Sequence, residues 1–410
     1  MTATLDTRCC IVGGGPAGMM LGFLLARAGV DVVVLEKHGD FFRDFRGDTI
    51  HPSTLEVIFE LGLLDAFLAL PHQKVEQLTA SVYGQSLTIA DFTHLPVHSP
   101  CLLFMPQWDF LSFLAAQGKR YPEFTVRMQA EVTDVVVRDG RVAGVTAVTP
   151  DGELEVRADL VVGADGRHTT VREHSGLATI ASGAPIDVLW FRLPRTADAI
   201  AATGGYIAPG AFLVVIDRDT YWQCGFVIPK GAFDAIQAAG LEAFRARIAQ
   251  IAPSLAAATS ALITWDEVKL LTVQIDRMPV WYREGLLCIG DAAHAMSPVG
   301  GVGINLAVQD AVATANRLAG PLRERRLTIA DLAAVQHRRE WPVRFTQRAQ
   351  IAIQNNVVIR VLSSAQASDR LPLALRLLRR FPWLRRFPAR VIGMGVRPEH
   401  VGTPDTHLSP

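Results

Sequence analysis

The hydrophobic positions along this chain fall into two textures. Short unbroken apolar runs read as buried strands, and longer stretches with apolar residues three and four apart read as helices. The first run, Cys9 to Val12, precedes a helical pattern from Met19 to Ala28 and a second apolar run from Val30 to Leu35. Run, helix and run predict a βαβ unit with parallel strands, since such strands need a crossover between them. Helical spacing returns from Pro52 to Leu70 and from Pro106 to Gln117, with a Pro/His-rich loop around His94 to Pro100 between them.

Further along, the period changes to two. FTVRMQAEVTDVVVRDG, RVAGVTAVTP and GELEVRADLVVGADG alternate apolar and polar residues and are separated by D-G and P-D-G turns. They predict a small antiparallel meander leading back into the main sheet. From Asp187 to Lys269 the texture is short aromatic strands (VLWFRL, FLVVIDRD, TYWQCGFVIP) and one helix near Phe233 to Ile251, which predicts a separate inserted sheet domain. GLLCIGDAAHAMSPVGGVGINLAVQDAVATANRLA then restores the buried strand, glycine-rich loop and long helix. The expected fold class is α/β: a discontinuous Rossmann-like domain, an inserted, mainly antiparallel β-sheet domain and a C-terminal segment.

Composition narrows the function classes. The 410 residues are 50% apolar and 20% charged, enough for a large core and two or three domains. Lys+Arg and Asp+Glu both number 40, so no overall field favours nucleic acid. Five cysteines without C-x-x-C spacing predict reduced thiols and a cytoplasmic protein. The short polar start leaves no room for a signal peptide, and no run of about 18 apolar residues predicts a membrane span. Eleven histidines without H-x-x-x-H or H-x-H spacing argue against a metal site.

Three loops carry candidate chemistry. Gly13, Gly15 and Gly18 spell G-x-G-x-x-G between the first strand and helix. There the first glycine turns the chain, the second admits a pyrophosphate, the third lets helix and strand pack, and the helix N-terminus favours negative charge. Glu36, at the end of the second apolar run, can accept hydrogen bonds from a ribose diol. In LVVGADGRHTTVRE, Asp165 and Gly166 follow a buried strand. In LLCIGDAAHAMSPVGGVGIN, Gly290 and Asp291 do so again, and Pro298, Gly301 and Gly303 shape a loop ending at Asn305, where a helix starts. A carboxylate at a strand end can hold a ribityl or ribose hydroxyl, and a glycine loop at a helix start offers bare N–H groups to a group that becomes anionic.

Together these motifs resemble the class A flavoprotein monooxygenases, the family of p-hydroxybenzoate hydroxylase, over most of residues 9 to 345. The resemblance implies bound FAD and a transient NAD(P)H, consistent with the single G-x-G-x-x-G. It implies hydroxylation of an aromatic or polycyclic small molecule with O2 through a flavin C4a-hydroperoxide. It assigns FAD contacts to Gly13, Gly15, Ala17, Gly18, Glu36, Arg46, Gln107, Val132, Asp165, Asp291, Pro298, Gly301, Gly303, Ile304 and Asn305. Thr169 stands where the family usually has Ser, which keeps the hydroxyl. FAD-binding segments are expected at 1–75, 101–185 and 273–350, substrate-domain segments at 76–100 and 186–272, and a helical segment at 351–410.

In the family the face of the inserted sheet covers the flavin. Trp190, Arg192, Tyr221 and Gln223 are the candidate substrate contacts, with Trp222 and Phe226 on the same strands, and alternation lets about half of these six face a pocket. His294, in G-D-A-A-H, reads as structural. A flavin-dependent halogenase is a rival, but W-x-W-x-I-P is absent because WQCGFVIP lacks the second Trp. A prenyl-lipid reductase and a non-catalytic drug-sequestering flavoprotein remain alternatives. The tail holds seven arginines from Arg370 to Arg390 with Leu, Phe and Trp between them. A basic amphipathic segment can lie on a membrane, but Pro372, Pro382 and Pro388 break it, and short helices packed over the flavin domain are the expectation. The substrate's identity and the oligomeric state are not legible.

Overall fold

The computed structural model describes residues 3–42, 49–167, 170–195, 203–363 and 372–407. The first strand, Ala3–Val12, lies between Val32–Leu35 and Gly152–Gly163 and runs parallel to both. Phe124–Arg127 adds parallel to Val32–Leu35, and Leu286–Cys288 adds parallel to Gly152–Gly163. Five parallel strands therefore end at one edge of an eight-stranded sheet. These strands read as continuous apolar runs because a parallel sheet is covered on both faces. Helix Pro16–Arg27 packs against helices Gly303–Arg323 and Gln107–Gly118.

Two patterns divide more finely than the sequence predicts. FTVRMQAEVTDVVVRDG breaks at Gln129, which has φ of 55°. Phe124–Arg127 joins the parallel sheet, and the meander is Glu131–Arg138, Arg141–Thr149 and Gly152–Gly163. The helical stretch from Pro52 splits at Gly62 (φ 70°) into Pro52–Glu60 and Leu64–Leu68, since a left-handed residue ends a helical ladder.

The second sheet has seven strands in the order Lys269–Leu271, Ile186–Pro194, Tyr221–Pro229, Ala211–Asp217, Gly204–Ala208, Gln77–Val82 and Gln85–Asp91. All pairings are antiparallel except that of Gly204–Ala208 with Gln77–Val82. Leu189, Phe191, Leu193, Trp222, Cys224 and Phe226 bury one face under helix Leu241–Ile251. The edge hairpin comes from a distant part of the chain, with Gly204 seated against the Thr79 carbonyl where no Cβ fits.

The C-terminal segment differs from expectation in where it docks. Helices Leu373–Arg380 and Arg386–Gly393 pack on strand Gln85–Asp91 of the second sheet. Leu375 joins Val82 and Leu87, while Ala389 and Ile392 join Ala90 and Phe92. Helix Arg386–Gly393 also meets the start of helix Pro52–Glu60, with Gly393 against Pro52 and the Ile392 carbonyl on His51, and the last stretch reaches the other helices of the parallel sheet. Arg27 donates to the Thr403 carbonyl (2.7 Å), and Tyr121 donates to Asp405 (2.9 Å).

Two buried polar groups fasten this arrangement. Asp310, fully buried on helix Gly303–Arg323, accepts from Arg339 Nε (2.9 Å) and from the Gly290 N–H (3.0 Å), and its Oδ2 lies 2.6 Å from His294 Nε2. Arg339 continues to Glu399 (3.2 Å) and the Arg397 carbonyl (3.1 Å). Burial pushes the Asp310 carboxyl up, but His294 and Arg339 outweigh it and hold it below the usual carboxylate range. His51, also buried, sits between the Ile392 carbonyl (2.8 Å from Nδ1) and the Gly301 carbonyl (3.0 Å from Nε2).

Asp310→Ala removes one of the two carboxylates on buried Arg339 together with the partner of His294 and the Gly290 N–H, and should destabilise the protein by about 3–5 kcal/mol, read as a large drop in thermal midpoint; a drop of a degree or less would show that the cluster carries little. For His51, burial lowers the imidazole below its ordinary value although both carbonyls pull it up. The unfolded chain therefore binds more protons just below the ordinary value, and stability present above about pH 6.5 is lost as pH falls. Wild type should lose more thermal midpoint than His51→Gln between about pH 6.5 and 5; parallel losses in the two proteins would refute this.

Candidate functional site

The parallel sheet's carboxyl edge gathers the three loops. Gly13 (φ 106°) turns the chain so closely under the second loop that an added Cβ would strike the Ala164 carbonyl, and one on Gly18 would strike the Gly13 carbonyl. Both positions are closed to any other residue. Gly15 caps helix Pro16–Arg27 with its own position open, nothing lying within 4 Å of an added Cβ. No side chain caps that helix and its first turn has no acidic residue. Its first N–H groups are thus available to an anion.

Glu36 ends strand Val32–Leu35 as a buried carboxylate. Its Oε2 accepts from the Gly14 N–H and its Oε1 from the His38 N–H, both at 3.0 Å. A carboxylate has about four acceptor sites, which suits it to the paired hydroxyls of a ribose. Ala130 N–H donates to the Glu36 carbonyl (2.9 Å), which brings Val132, buried against Ala147's strand, to the same corner. Ala17 is buried beneath Gly290, where the first and third loops meet.

The second and third loops are cross-linked. Arg167 Nε donates to Asp291 (3.4 Å), and Arg172 donates to the Ala292 carbonyl (3.3 Å) and to Asp276 (3.4 Å). Asp165 accepts from the Val171 N–H (3.2 Å) and so caps the turn after it. Past Asp291 the chain turns at Pro298, whose carbonyl accepts from the Gly301 N–H (3.0 Å). Helix Gly303–Arg323 then starts with no side-chain cap, no acidic residue in its first turn, and open space at Gly303. Ile304 is buried. Asn305 turns its amide oxygen away from this opening to accept from Ser53 (2.6 Å) and Thr54 (2.9 Å). Gln107 begins helix Gln107–Gly118, after a strand, Leu102–Phe104, that pairs with Thr49–Ile50 beside Gly301. Arg46 and Thr169 lie outside the described residues.

The second face of the seven-stranded sheet meets the third loop, where Trp190 and Val299 pack on one apolar cluster. Trp190 faces Gly225 across the ladder, and an added Cβ there would meet the indole at 3.1 Å, so the glycine leaves room for the ring. Arg192 is opposite Gln223 and Pro194 opposite Tyr221, which puts Trp190, Arg192, Tyr221 and Gln223 on one face. Trp222 and Phe226 point the other way into the core. The Arg192 guanidinium lies 4.9 Å from the Tyr221 ring centre, and Arg218 Nε donates to Gln223 (3.1 Å). Nearby, burial pushes the Asp109 carboxyl up while Arg218 acts against it.

Sequence reasoning missed the residues that hold the third loop. Gln347 donates to the Asp276 (2.8 Å) and Ala295 (3.1 Å) carbonyls, and Gln350 to those of Ser297 (2.9 Å) and Val299 (2.8 Å). Gln354 donates to Ser297 Oγ (2.5 Å) where helix Ile329–Ile353 passes into a π-turn. Their one available signal was the recurrence of Gln at helical spacing on a buried stripe, which predicts backbone partners because such amides must be satisfied. His294 is buried on Asp310 beneath this loop, as its structural reading required.

Against this geometry, the family profile of the FAD binding domain matches residues 6–349. The chain is 33% identical over 389 residues to 6-methylpretetramide 4-monooxygenase of Streptomyces rimosus, covering 94% of this chain and 92% of that protein. It is 30% identical over 326 residues to rifampicin monooxygenase of Rhodococcus hoagii, covering 73% of this chain and 61% of that longer protein. In fold it matches p-nitrophenol 4-monooxygenase of Pseudomonas putida DLL-E4 with a TM-score of 0.73 at 21% identity, covering 95% of this chain and 98% of that one. The chain belongs to the FAD-dependent aromatic monooxygenases, which use NAD(P)H and O2 to hydroxylate small molecules.

Proposed function

We propose that FAD lies extended along the carboxyl edge and that the substrate is a flat, oxygen-rich polycyclic aromatic held against the face bearing Trp190. The observation that carries this is the pair of uncapped helix starts, at Pro16–Arg27 and Gly303–Arg323, opening with bare glycines on one edge beside a buried carboxylate. In this reading Glu36 takes the adenosine ribose, and Gly13, Gly15, Ala17 and Gly18 surround the pyrophosphate. Asp291 and Asp165 bracket the ribityl, and the loop from Pro298 to Ile304 meets the flavin ring. Asn305 acts as a positioning residue through Ser53 and Thr54, and Gln107 closes the opposite side.

FAD, when bound, takes electrons from NAD(P)H and activates O2. The chain's own work is to bind, orient and exclude water. The start of helix Gly303–Arg323 favours negative charge beside it. The Trp190 indole beside Gly225 makes a flat apolar wall, and Arg192 with Tyr221 offers a cation and a hydroxyl to an enolate or phenolate oxygen. The relative named for 6-methylpretetramide, matched over nearly both chains, supports this choice of substrate class.

Purified protein should be yellow, and a panel of tricyclic and tetracyclic phenols should accelerate NADH or NADPH oxidation with a mass gain of one oxygen. Reductant oxidation that no such compound stimulates would exclude the substrate class. Gly303→Val should keep the apoprotein's thermal midpoint, since an added Cβ meets nothing, yet weaken FAD retention at least about tenfold, or 1.4 kcal/mol. Unchanged flavin affinity in this variant would remove the third loop from the cofactor site.

A further inference from the structure

We propose that the C-terminal helices form a docking surface for an anionic lipid bilayer. Helix Leu373–Arg380 is apolar on two sides. Leu375 faces strand Gln85–Asp91, while Leu373 and Leu377, roughly 160–200° round the helix from it, are exposed and continue into exposed Phe381. Among the described residues nothing covers the outward stripe. Beyond it Trp383 is 64% and Phe387 73% exposed. Phe387 and Arg390 share a groove of about 490 Å³ with Trp341 and Phe345 of helix Ile329–Ile353, which are themselves exposed. Single exposed apolar residues are ordinary, but a run of seven large ones on neighbouring elements marks an interaction surface.

The charge specifies the partner. Between residues 372 and 396 the chain has six arginines, Arg376, Arg379, Arg380, Arg385, Arg386 and Arg390, and no acidic residue. Among the described residues none of the six pairs with a carboxylate. Arg379 reaches Gln85, Arg385 the Leu378 carbonyl and Arg386 His94, and Arg380 lies 5.5 Å from the Phe381 ring centre. Glu56, the one acidic group on the groove, is taken by His98. In a chain of formal net charge zero this is a concentrated positive patch, complementary to an anionic plane. A second copy fits poorly, because a two-fold contact would set arginines against arginines.

Lipid is favoured over an acidic protein by where the apolar groups point. Leu373, Leu377, Trp383 and Phe387 project outward among the arginines, the arrangement in which rings and aliphatic chains enter the acyl boundary while guanidinium groups meet phosphates. No described helix is long and apolar enough to cross a membrane, so the attachment is peripheral. Pro382 separates the two helices while Pro388 sits in the first turn of the second, and the exposed side chains do not require one continuous helix.

The test is co-sedimentation of the full chain with vesicles of phosphatidylcholine alone or with about 30% phosphatidylglycerol, at about 0.05 M and 0.5 M salt. Wild type should partition at least about tenfold more strongly onto anionic vesicles at low salt, and lose most of that binding at high salt. Arg380→Glu with Arg386→Glu, and separately Trp383→Ala with Phe387→Ala, should each cut the binding about tenfold. Both pairs are exposed, so an unchanged thermal midpoint and flavin content would show that folding is intact. No binding to anionic vesicles at low salt would overturn the proposal. So would binding that survives Trp383→Ala with Phe387→Ala and is matched by soluble polyglutamate, which would point to an acidic protein.

Discussion

Everything in the candidate site depends on how closely two backbones approach where the first strand ends. Gly13 passes beneath Ala164 with no room for a Cβ, and Gly18 seats the helix start against Gly13 in the same way. These contacts bring the second loop over the first. Parallel pairing of Gly152–Gly163 with Leu286–Cys288 then adds the third beside them. Segments separated by well over a hundred residues thus share one edge, and the two helices that begin there aim their free N–H groups along it.

The third loop lends Ala292, Ala293 and Met296 to the main core and is otherwise held by polar groups from outside. Asp310 fixes Gly290 and His294 from below, Gln347 and Gln350 hold the backbone from 295 to 299, Gln354 holds the Ser297 hydroxyl, and His51 meets the Gly301 carbonyl. Because buried amides and carboxylates are costly when unmatched, each bond restricts the loop to one path. His51 also meets the Ile392 carbonyl of helix Arg386–Gly393. The exposed C-terminal surface and the loop at the start of helix Gly303–Arg323 therefore share one imidazole as a common neighbour.

Much of this was legible in the sequence, for local reasons. Glycines at fixed spacing after an apolar run, and acidic residues at strand ends, need only a few residues to state their geometry, so Gly13, Gly18, Glu36 and Asp291 could be read directly. Alternation also predicted that only part of the aromatic set would face the pocket side, and the ladder divides Trp190, Arg192, Tyr221 and Gln223 from Trp222 and Phe226. What escaped depends on long-range pairing. The hairpin Gln77–Asp91 joins strand Gly204–Ala208 across the sequence, and the pocket-facing partners of the third loop come from a helix some fifty residues later. The tail meets helix Pro52–Glu60 as expected of it, but its inward apolar face also fits strand Gln85–Asp91, a partner its own pattern does not name.

The most direct test of the account is a crystal structure of the yellow protein with its flavin. It should show the adenosine ribose within hydrogen-bond reach of Glu36, the pyrophosphate before helix Pro16–Arg27, and the ring's pyrimidine edge against residues 301–304. A flavin ring remote from the start of helix Gly303–Arg323, or a ribose out of reach of Glu36, would contradict it.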